Sequence, residues 1–146
     1  HSEAYCGQMV HRARMRLQAD RPRFAVEPDR HRRLLERFMH AVRRGDRESL
    51  LELLDGNARL VADGGGKVTA VLRPLEGAER IARLYWAIAR RLGDRTDLRL
   101  GQVNGEPAIV RWHEGRVHSV TTVVIDAGRI TQVLSVLNPD KLRTVA

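Results

Sequence analysis

Cysteine is almost absent from this 146-residue chain, in which Cys6 stands alone. One thiol excludes an internal disulfide and a cysteine-rich metal site. Aromatic residues are scarce at 4%, leaving Tyr5, Phe24, Phe38, Tyr85, Trp86 and Trp112. No apolar run approaches the roughly 20 residues of a membrane helix. His1-Ser2-Glu3-Ala4-Tyr5 lacks the basic-then-apolar pattern of a signal peptide. These absences predict a soluble, cytoplasmic chain with no membrane partner. The length allows one compact domain with a buried core and is too short for two. Lysine is nearly missing too: Lys67 and Lys141 stand among 26 basic residues, which face 18 acidic ones for a net charge of +8. That balance admits nucleic-acid or acidic-protein partners, and equally an arginine-rich composition with solvated helix faces.

What is present reads as helices followed by strands. Residues 8–19 predict a short helix with Met9, Val10, Ala13 and Leu17 on one face and Arg12, Arg14 and Arg16 spread over the rest. So narrow a stripe needs something to pack on. Asp20-Arg21-Pro22-Arg23 breaks the helix and opens a linker over residues 21–28. Pro28-Asp29 starts the next helix, with Leu34, Leu35, Phe38, Met39, Ala41 and Val42 on its apolar face and Gly45 as its stop. Asp46 caps a further helix in which Leu50, Leu51, Leu53 and Leu54 point to burial.

Asp55-Gly56-Asn57 then predicts a turn, and residues 58–62 a strand. Asp63-Gly64-Gly65-Gly66-Lys67 interrupts before extended chain resumes over residues 68–71, and Pro74 and Gly77 bracket a turn. Ile81, Leu84, Tyr85, Ile88 and Leu92 mark a third body helix ended by Gly93. Beyond it the period changes to two. Asn104-Gly105, Glu114-Gly115 and Ala127-Gly128 separate four strands, the last two being Arg116–Asp126 and Arg129–Leu137. Helices followed by a strand meander predict an α+β domain, with helices on one face of a curved antiparallel sheet.

Two five-residue strings stand out: Asp63-Gly64-Gly65-Gly66-Lys67, and Asn138-Pro139-Asp140-Lys141-Leu142. Both lysines of the chain lie inside them, where a compact ammonium rather than a guanidinium is in place. Three glycines permit positive φ and a close backbone approach, flanked by the opposite charges of Asp63 and Lys67. They fit a tight turn with a surface ion pair equally well. Asn138-Pro139-Asp140 suits an Asx turn that opens a helical turn, or a simple stop after the last strand.

Together with Val103-Asn104-Gly105-Glu106-Pro107-Ala108, these strings resemble the SnoaL-like extension of certain extracytoplasmic-function (ECF) sigma factors. Gln8-Met9-Val10-His11-Arg12-Ala13-Arg14 likewise resembles the end of their sigma-4 recognition helix, although Gly7 stands where the family usually has arginine. The resemblance spans nearly the whole chain in the family's order. It implies the cone-shaped fold of the SnoaL-like cyclases and nuclear transport factor 2, with a curved sheet wrapped around three helices. The implied division is a sigma-4 remnant at residues 1–20, a linker at 21–28 and a SnoaL-like domain at 29–146. Sigma-2 and most of sigma-4 are missing, so the chain is expected to be an excised C-terminal fragment that does not recognise a promoter by itself.

The implied function is regulatory. In the intact protein the extension would pack on the sigma-2 and sigma-4 regions and tune promoter DNA recognition by core RNA polymerase. The implied contact motif is Asp63, Gly64, Gly65, Gly66 and Lys67 with Asn138, Pro139, Asp140, Lys141 and Leu142. Arg12, Arg14 and Arg16 would meet DNA phosphates in the intact protein. A homodimer through the outer sheet face is compatible with this role and equally with a stand-alone binder or enzyme.

The alternative is a stand-alone SnoaL-like small-molecule binder, or an enzyme of the cyclase or isomerase type. Proton abstraction beside a carbonyl needs a buried base and an oxyanion donor. Asp97, Glu106, Glu114 and Asp126 all fall at predicted strand ends or turns. Strand interiors offer Ser119, Thr121, Thr122, Thr131, Gln132 and Ser135, none a base near neutral pH. His118 lies within the long strand and is the first suspect, though a lone strand histidine is more often a packed or surface residue than a base. His113 lies near a turn. Tyr85 and Trp86 read as core or pocket wall. No histidine pair has metal-ligand spacing, and the Lys67 loop lacks the Ser/Thr of a phosphate loop. No catalytic residue, metal or cofactor is expected.

Overall fold

The computed structural model describes residues 28–63, 74–93 and 96–137. Its helices are α1 (Pro28–Arg44), α2 (Arg47–Leu53) and α3 (Ala78–Leu92). Its strands are β1 (Leu54–Asp63), β2 (Leu75–Glu76), β3 (Thr96–Val103), β4 (Glu106–His113), β5 (Arg116–Asp126) and β6 (Arg129–Leu137). The helix expected at residues 8–19, the linker up to residue 27 and the extended stretch at 68–71 lie outside the described residues, while Pro28, expected as the last linker residue, opens α1.

Local chemistry fixes the helix ends. Asp29 stands in the first turn of α1 and Arg43 and Arg44 in its last, each favourable to the helix dipole. Gly45 N–H donates to the Val42 carbonyl and Asp46 N–H to the Ala41 carbonyl, at 3.2 and 3.0 Å. This double closure satisfies two terminal carbonyls, and it needs the left-handed φ of +64° that Gly45 supplies. Asp46 then caps α2, accepting from Ser49 N–H at 3.3 Å and from the Ser49 hydroxyl at 2.8 Å. Leu50 and Leu53 of α2 are buried as expected, whereas Leu54 is already the first residue of β1.

The six strands form one curved sheet in the order β2-β1-β6-β5-β4-β3. Three hairpins join β3 to β6. At each, both turn residues have positive φ: Asn104-Gly105, Glu114-Gly115 and Ala127-Gly128. That geometry matches the right-handed strand twist. The sheet is not wholly antiparallel as expected. β1 runs parallel to β6, with Leu60 opposite Val133 and Asp63 opposite Val136. The meander brings β6 back alongside β1 after α3 has crossed the sheet, and no local signal encodes that return.

Two predicted turns are strand instead. Asp55-Gly56-Asn57 lies within β1, where the pairing with β6 shifts register between Leu54 and Arg59. Asn57 N–H donates to the Asp55 carboxylate at 2.9 Å, so the turn chemistry is realised as an irregularity inside a strand. The segment between Pro74 and Gly77 holds β2, paired antiparallel to β1 and supported by a 3.5 Å Arg59–Glu76 contact. Two residues are too few to show a period.

Cross-strand partners share a sheet face. Leu60, Val123 and Val133 point to the helices and join Leu35, Phe38, Leu50 and Ile81 in the main core. The Phe38 ring meets Tyr85 edge-on at 5.6 Å and 88°. A second apolar cluster with Val103, Ala108, Val117, Val120, Leu134 and Val136 occupies the other face.

Candidate functional site

Of the sequence-predicted contact residues, the structure describes Asp63 alone. It is the last residue of β1. Gly64, Gly65, Gly66, Lys67, Asn138, Pro139, Asp140, Lys141 and Leu142 lie outside the described residues, as do Arg12, Arg14 and Arg16. The strands nevertheless fix where both motifs begin. Asp63 pairs with Val136 on the parallel neighbour β6, which ends one residue later at Leu137. Adjacent strands lie about 4.8 Å apart. Asp63, the first residue of one string, and Leu137, the residue before the other, therefore lie at the same end of two neighbouring parallel strands.

The helix-facing side of the sheet turns polar toward β4 and β5. Arg111 lies between Leu98 and Ser119 in the ladder. Its Nη1 donates to the Thr96 hydroxyl at 3.2 Å. Thr121 donates to the Ser135 hydroxyl at 3.2 Å on the same face. The α3 residue Tyr85 is buried over this region, and burial pushes its hydroxyl up to about 12 against the pull of Arg111. Burial also moves the Arg111 guanidinium below its ordinary value, with Tyr85 opposing. Sequence reasoning missed Arg111, because an arginine inside a strand reads as a solvent-facing residue.

His118 is the extra residue where β5 bulges against β4, between Ser119 opposite Arg111 and Val117 opposite Trp112. Its ring centroid lies 6.4 Å from that of His113, which has the Glu114 carboxylate 3.8 Å from Nε2. The four acids sit at the margins as expected. Asp97 is held by Arg99 at 2.6 Å, Glu106 opens β4, Glu114 is in a turn and Asp126 closes β5. Tyr85 is core, but Trp86 is 40% exposed, correcting its expected place in the core or a pocket wall. It sits one position round α3 from Tyr85, and Arg90 stacks over its ring at 4.9 Å.

A cleft of about 300 Å³ opens between α1 and α2, lined by Arg37, His40, Arg44, Ser49, Glu52 and Leu53. Leu53 and the Ser49–Asp46 cap form its apolar and polar sides from α2, and three basic side chains come from α1. Its signal in the sequence is the recurrence of basic residues on the side of α1 that the apolar periodicity leaves free. His31 is buried and His40 exposed, so the two histidines of α1 stand on different faces.

No protein-family model matches the chain. It is homologous to two Mycobacterium tuberculosis proteins. One is named "Probable ECF RNA polymerase sigma factor SigI", with 30% identity over 138 residues covering 94% of this chain and 45% of SigI. The other is the "ECF RNA polymerase sigma factor SigJ", with 25% identity over 150 residues covering 96% of this chain and 48% of SigJ. The chain spans about half the length of these curated relatives. The crystal structure of SigJ superposes with a TM-score of 0.60, covering 98% of this chain and 52% of that one. An NTF2-like protein of unknown function from Mesorhizobium loti matches with a TM-score of 0.56 at 17% identity, over 79% of this chain and 96% of that one, a likeness of fold alone. The expected α+β architecture related to nuclear transport factor 2 is the one present.

Proposed function

We propose that this chain is the regulatory C-terminal extension of an ECF-type sigma factor. Residues 29–146 would form its SnoaL-like domain and residues 1–20 the end of sigma-4. The homology to SigI and SigJ over nearly the whole chain supports the sigma-factor setting. The observation that carries the regulatory part is the parallel β1–β6 pairing, which sets Asp63 beside Val136, two residues before the second string. On this reading the two strings act as one contact surface for the sigma-2 and sigma-4 regions of the same protein.

Docked and undocked arrangements of the extension then exchange, and the docked one restrains how the sigma regions meet promoter DNA and core RNA polymerase. The work is done in the cytoplasm without a cofactor and without catalysis. The sigma-factor names of SigI and SigJ support the non-catalytic role, as does the marginal placement of Asp97, Glu106, Glu114 and Asp126.

The test adds the sigma-2 and sigma-4 regions in trans and measures their association with this chain by calorimetry. Lys67→Ala and truncation before Asn138 are each expected to weaken association by about tenfold, or ~1.4 kcal/mol. Unchanged association in both variants removes the proposed contact surface.

A further inference from the structure

We propose that the solvent face of α1 is a binding strip for the phosphate backbone of double-stranded DNA. Arg30, Arg33, Arg37, His40 and Arg44 recur at i, i+3, i+7, i+10 and i+14, and all five are exposed. At 1.5 Å rise per residue the row runs about 21 Å, and it slews by only about 40° around the axis over two heptads. Leu34, Leu35, Phe38, Met39 and Val42 are buried on the other side of the helix, so the row faces away from the core.

Among the described residues the fold makes little use of these charges. α1 carries six arginines against Asp29 and Glu36. Among the described residues, Arg30, Arg33 and Arg37 make no ion pair. Arg44 has a loose, exposed contact with Asp46 at 3.8 Å. Like charges three and four residues apart weaken a helix rather than support it. The row's energy is therefore available to an outside polyanion.

Three features suit the row to nucleic-acid phosphates. The row is straight and about 21 Å long, enough to span several successive phosphates of one strand. Its cations are mainly arginines, whose planar fork matches phosphate oxygens two at a time. The cleft of about 300 Å³ behind Arg37, His40 and Arg44 admits a phosphate group, with the Ser49 proton held by Asp46, so that Asp46 and Glu52 are the opposing carboxylates. Such contacts position a duplex without reading its sequence.

The inference goes beyond the docking surface of the motif strings and does not rest on it. It is tested with the full 146-residue chain. A fluorescein-labelled duplex of about 25 base pairs is titrated by anisotropy between about 50 and 200 mM KCl. Replacing two phosphate contacts with Arg33→Gln and Arg37→Gln should reduce the slope of log K against log salt by about 1.8. It should also weaken low-salt binding by about tenfold or more. The control pair Arg80→Gln and Arg83→Gln on α3 removes the same charge and should change neither by more than about twofold.

Both pairs are exposed, and circular dichroism verifies their folding. An equal loss from the two pairs assigns binding to net charge and overturns the strip. A loss from neither does so too, as does a loss confined to Arg12→Gln, Arg14→Gln and Arg16→Gln. Polyglutamate that displaces the duplex as well as unlabelled DNA does would assign the row to an acidic protein and also overturn it. The outcome is independent of the association measured with the sigma regions, where no DNA is present.

Discussion

A Cβ at Gly45 would stand 2.8 Å from the Ala89 Cβ and 3.3 Å from the Trp86 Cα, in a backbone with φ of +64°. The glycine closes α1 and lets that corner press against α3. Gly45→Ala combines left-handed strain with a steric clash, and urea denaturation should show a loss of about 2–3 kcal/mol. The opposite holds at Ala127, an alanine at φ +52° in the last hairpin. Asparagine tolerates that region, so Ala127→Asn should gain about 0.5–1 kcal/mol in the same measurement.

Tyr85 gives the pH dependence at this scale. Its hydroxyl, near 10 when unfolded, is raised to about 12 by burial. A raised value means the stabilising contribution is whole below pH 10 and is lost as pH climbs through 12. Against Tyr85→Phe, which cannot ionise, the native chain should lose roughly 2–3 kcal/mol between about pH 9 and 12. Parallel curves for the two proteins would mean that Tyr85 titrates as in water.

Capping governs the elements. Asp46 is held below its ordinary value chiefly by the Ser49 hydroxyl and then by the Ser49 N–H. Its lowered value places the cap's contribution above the unfolded carboxylate pKa, with loss as pH falls through the folded one. Asp46→Asn should keep the cap and flatten that acid limb, while Asp46→Ala should lower the thermal midpoint at neutral pH as well. An acid limb identical in the wild type and the asparagine variant would refute the assignment. This cap and the Gly45 stop were legible because their chemistry is local and spans three or four residues. The same locality misled at Asp55-Gly56-Asn57, where an Asx hydrogen bond forms but the chain runs on as strand, paired with β6 at Leu54 and again from Arg59. At β2 the signal was too short to exist: Leu75 and Glu76 become a strand because Arg59 and Leu60 lie beside them.

At the scale of the molecule, the meander was legible hairpin by hairpin, each turn announcing itself in two residues. The parallel seam between β1 and β6 was not, because its partners are brought together only by the whole intervening chain. That seam also decides what the two motif strings can do. As text they are separate; in the fold Asp63, which opens one, pairs with Val136, two residues before the other. Joint action has a thermodynamic signature that separate sites lack. Mutations at independent sites add within about 0.5 kcal/mol, whereas residues sharing one partner surface couple by about 0.5–3 kcal/mol. The association of the sigma regions should therefore be measured for Lys67→Ala, for truncation before Asn138, and for both together. If one surface is formed, the double variant loses less than the sum of the single losses, since either change already breaks the shared contact. Strict additivity would separate the strings into two sites, and the parallel seam would then be a feature of the fold with no part in docking.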